Sequence, residues 1–297
     1  MPAGTAARAT VAVHLATMVH EMQGARAGKV ESVHQLRVSM RRLRAALTLF
    51  ASDLPKRTAE ALERELQDLG RTVGSVRDLD VLAAALAKRG RRIDARLEPA
   101  VATVLRHVSE QRTAAHAVLA TTLETPRTRR LIARLATIAK RGGGGEPAWK
   151  VAADLVRPLL RDVRRGGRGV GASSSPRALH RLRIDAKRLR YALEALDGLG
   201  GDATRALAAR LAELQELLGV QRDATTQRAW LIDEVPSFVG DAEALVAIGA
   251  IAEALRRRGE RFARRVGRAW RRVDHPKRIA AALEELERQP DAKGRAA

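Results

Sequence analysis

Two segments of the chain carry the same chemistry-bearing pattern: His34-Gln-Leu-Arg37-Val-Ser-Met-Arg41-Arg42-Leu43-Arg44 and His180-Arg-Leu-Arg183-Ile-Asp-Ala-Lys187-Arg188-Leu189-Arg190. In each, a histidine is followed by cations three, seven and ten residues on. Guanidinium, ammonium and imidazole groups at this spacing donate hydrogen bonds and positive charge, which suits a phosphate-bearing anion. Between 34–50 and 180–196 the histidine, Leu36/Leu182, Arg37/Arg183, Arg42/Arg188, Leu43/Leu189, Arg44/Arg190, Ala46/Ala192 and Leu47/Leu193 are identical, and Val38/Ile184 and Arg41/Lys187 keep their chemistry. A duplicated cationic element implies a two-sided site for a polyanion.

Both segments read as helices. Wound at about 100° per residue, His34, Arg37, Arg41 and Arg44 share a stripe about 80° wide, and Leu36, Met40, Leu43, Leu47 and Phe50 cluster beside it. The second copy repeats this, with His180, Arg183, Lys187 and Arg190 next to Leu182, Leu189, Leu193 and Leu196. The basic row therefore borders the buried face, where a groove between packed helices can collect it. An arginine-rich helix is more often simply a solvated face. Here the stripe contains no carboxylate in either copy, and like charges three and four residues apart repel, so a bound anion is expected to compensate them.

A second signature is duplicated in the same order. Leu66-Gln-Asp-Leu69 to Val73-Gly74-Ser-Val-Arg77-Asp78 matches Leu211-Ala-Glu-Leu214 to Leu218-Gly219-Val-Gln-Arg222-Asp223. Gly74 and Gly219 mark a close helix approach or a local break. Each aspartate can orient its arginine towards phosphate or simply pair with it. Arg77 and Arg222 are thus second-tier candidates, joined by Arg42, Arg188, Arg112 and Arg258. Arg261, Arg264, Arg265, Arg268, Arg271 and Arg272 surround Trp270 and extend a basic surface.

Composition agrees with a phosphate partner. The 55 Lys+Arg against 34 Asp+Glu give a net charge of +21, which points to nucleic acid, an anionic membrane or another phosphate polymer. Aromatic residues make up only 2%, whereas binders of single-stranded nucleic acid stack bases on aromatic platforms. A ligand without bases is favoured. There is no cysteine, which excludes disulfides, thiolate nucleophiles and cysteine-based metal sites. Neither histidine has a carboxylate or second histidine at helical spacing along its stripe, so no metal site and no cofactor are expected. Residues 6–22 are interrupted by Arg8, His14, His20 and Glu21, and no apolar run reaches about 18 residues. Neither signal peptide nor membrane span is expected, and the default location is cytoplasmic.

The Ala, Leu, Arg and Glu-rich stretches have helical spacing and no alternating strand pattern, which predicts an all-α protein. The expected helices are 6–24, 31–52, 56–89 (with a possible break near Gly74) and 94–140 (with one at Pro126), then 148–165, 177–198, 202–233 and 241–288. Gly142–Gly145 with Glu146-Pro147 separates two halves, 1–141 and 149–289, across a linker at 142–148, with a flexible tail at 290–297. Ser174 or Ser175 caps the second histidine helix, and Pro176 suits its first turn.

Taken together, the His-x-x-Arg-x-x-x-(Arg/Lys)-Arg-Leu-Arg helices and the Leu-Gly-x-x-Arg-Asp pair, in order and in both halves, resemble the CHAD family, the conserved histidine alpha-helical domain. The resemblance covers nearly the whole chain. It implies two four-helix bundles related by a pseudo-twofold, enclosing a basic groove that binds inorganic polyphosphate, and association with polyphosphate granules. It assigns His34, Arg37, Arg41, Arg44, His180, Arg183, Lys187 and Arg190 to that groove. The Glu-x-Glu-x-Lys strand of the CYTH triphosphatase domain, which often accompanies CHAD, is not found, so a stand-alone member without hydrolase activity is expected. The rival readings are a basic protein binding nucleic acid non-specifically and a phosphohistidine phosphotransfer enzyme, the latter without an evident acidic Mg²⁺ site.

Overall fold

Leucine and its neighbours recur every three or four residues along the chain, and burying those rows dictates the architecture. On the first histidine helix Val33, Leu36, Met40, Leu43 and Leu47 are all 3% exposed or less, and on the second Leu179, Leu182, Ala186, Leu189 and Leu193 are 1% or less. At roughly 1.5–3 kcal/mol for each large side chain, such rows hold the helices in place. The computed structural model describes residues 3–49, 55–140, 148–171, 174–196 and 200–288. Phe50, residue 141, residues 142–147 of the expected linker and the 290–297 tail lie outside the described residues.

Ten α-helices follow one another among the described residues: α1 (Ala3–Arg26), α2 (Val30–Leu49), α3 (Lys56–Gly90), α4 (Glu98–Glu124), α5 (Pro126–Lys140), α6 (Ala148–Gly167), α7 (Pro176–Ala195), α8 (Asp202–Asp233), α9 (Ala242–Val273) and α10 (Pro276–Glu287). The protein is all-α, with no strand among those residues. The expected long helices 94–140 and 241–288 are each two helices. The residue before a proline is disfavoured in the helical region. Thr125 before Pro126 and His275 before Pro276 are accordingly extended, at ψ 149 and 110. By contrast α3 runs through Gly74 without a break.

Helix starts are fixed by side chains that accept the free N–H groups of a first turn. Ser175 accepts from the Ala178 amide at 3.2 Å to start α7 at Pro176, while Ser174 accepts from Gly171 instead. Asp241 caps α9 through Ala244 at 2.9 Å. The cap of α8 comes from another helix: Glu285 of α10 accepts from the amides of Gly201, Ala203 and Thr204.

The core has three parts. One joins α1 to α5, a second joins α6 to α10, and a third is shared, with Leu82, Leu86, Val104 and Val108 of α3 and α4 packed among Leu231, Ile248, Ile251 and Leu255 of α8 and α9. The shared core ties the two halves together, and α2 also packs directly against α7.

Candidate functional site

Packing of α2 on α7 brings the two cationic rows to one place. The contact centres on Tyr191 of α7. Its ring has the Arg41 guanidinium 5.6 Å from its centroid, the Lys187 ammonium at 5.8 Å and the Arg190 guanidinium at 5.0 Å. Arg41 and Lys187 occupy equivalent positions of the two sequence copies, so the copies meet at one aromatic ring. Tyr191 is the only tyrosine in the chain, and its counterpart in the first copy is Ala45. It was not among the expected site residues. Repeat matching could not select it, although a lone tyrosine inside a cationic motif is itself a signal.

Several donors at this contact lack acceptors. Buried and without a hydrogen-bond partner are the Arg41 and Arg190 Nε atoms, and, farther along α7, Nδ1 of His180. Buried polar atoms are normally satisfied, so a cluster of unmet donors from both copies marks a place for an anion. The charges crowd as well. Burial pushes the Lys187 ammonium down to about 6, helped by Arg41, Arg183, Arg37 and Arg190. Burial likewise lowers Arg41, with Tyr191 opposing and Arg190 and Arg183 adding to the effect. Lys187 has no carboxylate within ion-pair distance among the described residues.

Each histidine sits beside the arginine of the second signature. Burial lowers His34, followed by Arg77, with Glu31 opposing and Arg41 and Arg37 assisting. His180 is lowered by burial, then by Arg222 and Arg183. Arg77 and Arg222 thus belong with the main rows. Their aspartates act on each other: burial raises Asp223, Arg183 opposes, and the charge of Asp78 adds to the rise. Gly74 serves the site by close approach, because a Cβ there would fall 2.5 Å from Nη1 of Arg37; nothing lies within 4 Å of one at Gly219.

The rows are not left wholly uncompensated, contrary to the expectation from the stripe alone. Arg37 pairs with Asp78 at 3.2 Å, Arg44 with Glu63 at 3.6 Å and Arg190 with Glu194 at 3.3 Å. Two of these carboxylates come from α3, which the winding of α2 does not reveal. Most of these groups are more than a third exposed. Such pairs contribute about 0–1 kcal/mol and yield readily to a stronger anion.

The remaining second-tier arginines are placed differently. Arg112 donates to Asp80 at 2.6 Å and to the Gly28 carbonyl at 2.8 Å, and Asp80 is buried, so Arg112 holds α3, α4 and the α1–α2 turn together. Arg258 lies over Phe262 at 5.1 Å and lines a 410 Å³ cavity with Lys88, Arg89 and Asp223. The exposed Arg42 lies towards α1, where it helps burial depress His14. Arg188 is exposed and opposes the burial-driven rise of Asp185. Among the described residues no cluster of three metal-ligating side chains occurs, and no helix is long and apolar enough to cross a membrane.

Comparison with known proteins bears on this arrangement. The family model for the CHAD domain matches residues 9–232. A crystal structure of the CHAD domain from the plant Ricinus communis superposes with a TM-score of 0.75 at 26% identity, covering 91% of this chain and 92% of that one. PptA from Streptomyces chartreusis gives a TM-score of 0.74 at 20% identity, covering 91% of this chain and all of the other, and shares the fold. No curated protein matches the chain.

Proposed function

The chain belongs to the CHAD domain family, and from that premise we propose that it binds inorganic polyphosphate along the contact of α2 and α7. The observation that carries the reading is the convergence of Arg41, Lys187 and Arg190 on Tyr191, with buried donors that have no acceptor. Polyphosphate brings about one charge per monomer, and cations one helical turn apart, about 5 Å, meet it repeatedly. His34, Arg37, Arg41 and Arg44 line one side, and His180, Arg183, Lys187 and Arg190 the other, with Arg77 and Arg222 behind the histidines. Each phosphate group replaces a weak, half-exposed carboxylate contact with a charge-assisted one.

In this reading the protein holds its ligand without turning it over, and it is cytoplasmic, associated with polyphosphate granules. The halves 1–141 and 149–289 act as the two paired bundles, one row from each. Arginine forks and the scarcity of aromatic platforms favour a bare phosphate chain over a nucleic acid. Competition tests this: long-chain polyphosphate should stay bound in the presence of excess duplex DNA or RNA. Equal displacement by DNA would favour a generic basic surface instead, with affinity set by counterion release alone.

A further inference from the structure

The C-terminal half of α9 carries a second cationic surface that the groove does not use. Wound at about 100° per residue, Arg261, Arg264, Arg265, Arg268, Arg271 and Arg272 fall in a sector about 120° wide. All of them lie beyond the family match at 9–232. In the structure Arg265, Arg268, Arg271, Arg272, His275 and Arg278 line a 600 Å³ depression with Leu217 on its wall. Arg265, Arg268 and Arg271 are exposed and make no ion pair among the described residues. Arg272 meets Glu213 at 3.4 Å with both side chains more than half exposed, and Arg264, outside the depression, meets Glu260 at 3.9 Å. Nδ1 of His275 is buried without a hydrogen-bond partner, a second sign of an unmet acceptor.

The chemistry of the lining selects the ligand. The five arginines of the lining only donate, which suits phosphate oxygens better than the mixed donor and acceptor edges of bases. Trp270 cannot stack a base, because it is 6% exposed and packs on Gly167, where a Cβ would lie 2.2 Å from the indole. A flexible chain can follow the depression, which a stiff duplex spans. The surface is also separate from the groove. Glu213, which pairs with Arg272, and Arg222, which flanks His180, are nine residues apart on α8. That is about 180° round the helix and about 13 Å along it, so the two surfaces are reached from different sides of α8.

We propose that this surface is a second polyphosphate-binding site, which makes one molecule bivalent and able to bridge two chains or two stretches of one chain. The inference rests on the groove reading and extends it. Bivalent binding raises apparent affinity for long chains through effective concentration, and cross-links them. Two variants of the full chain separate the sites: Arg265→Gln/Arg268→Gln/Arg271→Gln, all at exposed positions, and Arg37→Glu/Arg183→Glu in the groove. Tripolyphosphate titrated calorimetrically should show two sites on the wild type and one on each variant. With long-chain polyphosphate, light scattering by the triple variant should drop at least tenfold. Wild-type scattering in the triple variant, or loss of every tripolyphosphate site in the groove variant, would overturn the second site. Failure of the groove reading looks different: the wild type would then show a single tripolyphosphate site, kept by the groove variant and lost by the triple variant.

Discussion

Lys187 couples the site to protons, and the size of the effect follows from its surroundings. Free of ligand, its ammonium titrates near 6 because burial and the guanidiniums of Arg41, Arg183, Arg37 and Arg190 all oppose its charge. A polyphosphate chain laid among these groups removes that opposition and restores the pKa towards its ordinary 10.5. Binding at pH 8 then takes up about one proton. Affinity rises about tenfold for each unit of pH lowered towards 7 and levels off near the free pKa, so the chain binds about 50-fold tighter at pH 6 than at pH 8. The unliganded fold has the opposite dependence. Between about 6 and 10.5 the unfolded chain holds the extra proton, so stability rises with pH, by about 2 kcal/mol from pH 6 to pH 8. Titration calorimetry in buffers of different ionisation enthalpy reads the proton directly. Lys187→Met should bind with no proton uptake at pH 8, keep a nearly flat affinity between pH 7 and 8, and lose the stability slope. A flat wild-type affinity from pH 6 to 8, or a Lys187→Met variant with the wild-type slope, would refute the reasoning. The histidines act lower, since burial and the neighbouring arginines hold both below the usual 6.5.

Other perturbations are equally specific. Gly74→Ala displaces the Arg37 guanidinium and should weaken polyphosphate binding several-fold in an otherwise folded protein, as read by fluorescence titration. Gly219→Ala meets open space and should raise stability by about 0.5–1 kcal/mol in chemical denaturation with unchanged binding. Tyr191→Ala removes the ring shared by three cations and should cost about 1–2 kcal/mol of binding, more than Tyr191→Phe, which keeps the ring and loses the hydroxyl. Glu285→Ala strips the first turn of α8 of its acceptor and should lower stability by about 1–2 kcal/mol in thermal unfolding, leaving polyphosphate affinity unchanged.

Much of this arrangement is legible in the sequence because it depends on helical periodicity. The rows His34 to Arg44 and His180 to Arg190 follow from winding alone, and so do the buried faces beside them. The repeat registers Arg77 and Arg222 with the histidines. What depends on the meeting of distant elements is not legible. Glu63 and Asp78 reach α2 from α3, and Tyr191 gathers cations from both copies although Ala45 stands at the matching position. Arg112 and Arg258 share the repeat offset yet serve different neighbours, one a buried aspartate and the other a phenylalanine ring. The extended His275 before Pro276 follows the same rule as Thr125 before Pro126. The strongly depressed Lys187 is not legible either, because its burial among four guanidiniums arises only once α2 and α7 are packed.

The central claim is that the duplicated rows form one binding groove. Its most direct test is binding of long-chain polyphosphate in about 150 mM salt, comparing the wild type with Arg37→Glu/Arg183→Glu after circular dichroism has shown unchanged helicity. The account predicts tight wild-type binding and at least a hundredfold loss in the folded double variant. Wild-type affinity in that variant would contradict it, because the two rows would then be solvated surface and the ligand would lie elsewhere.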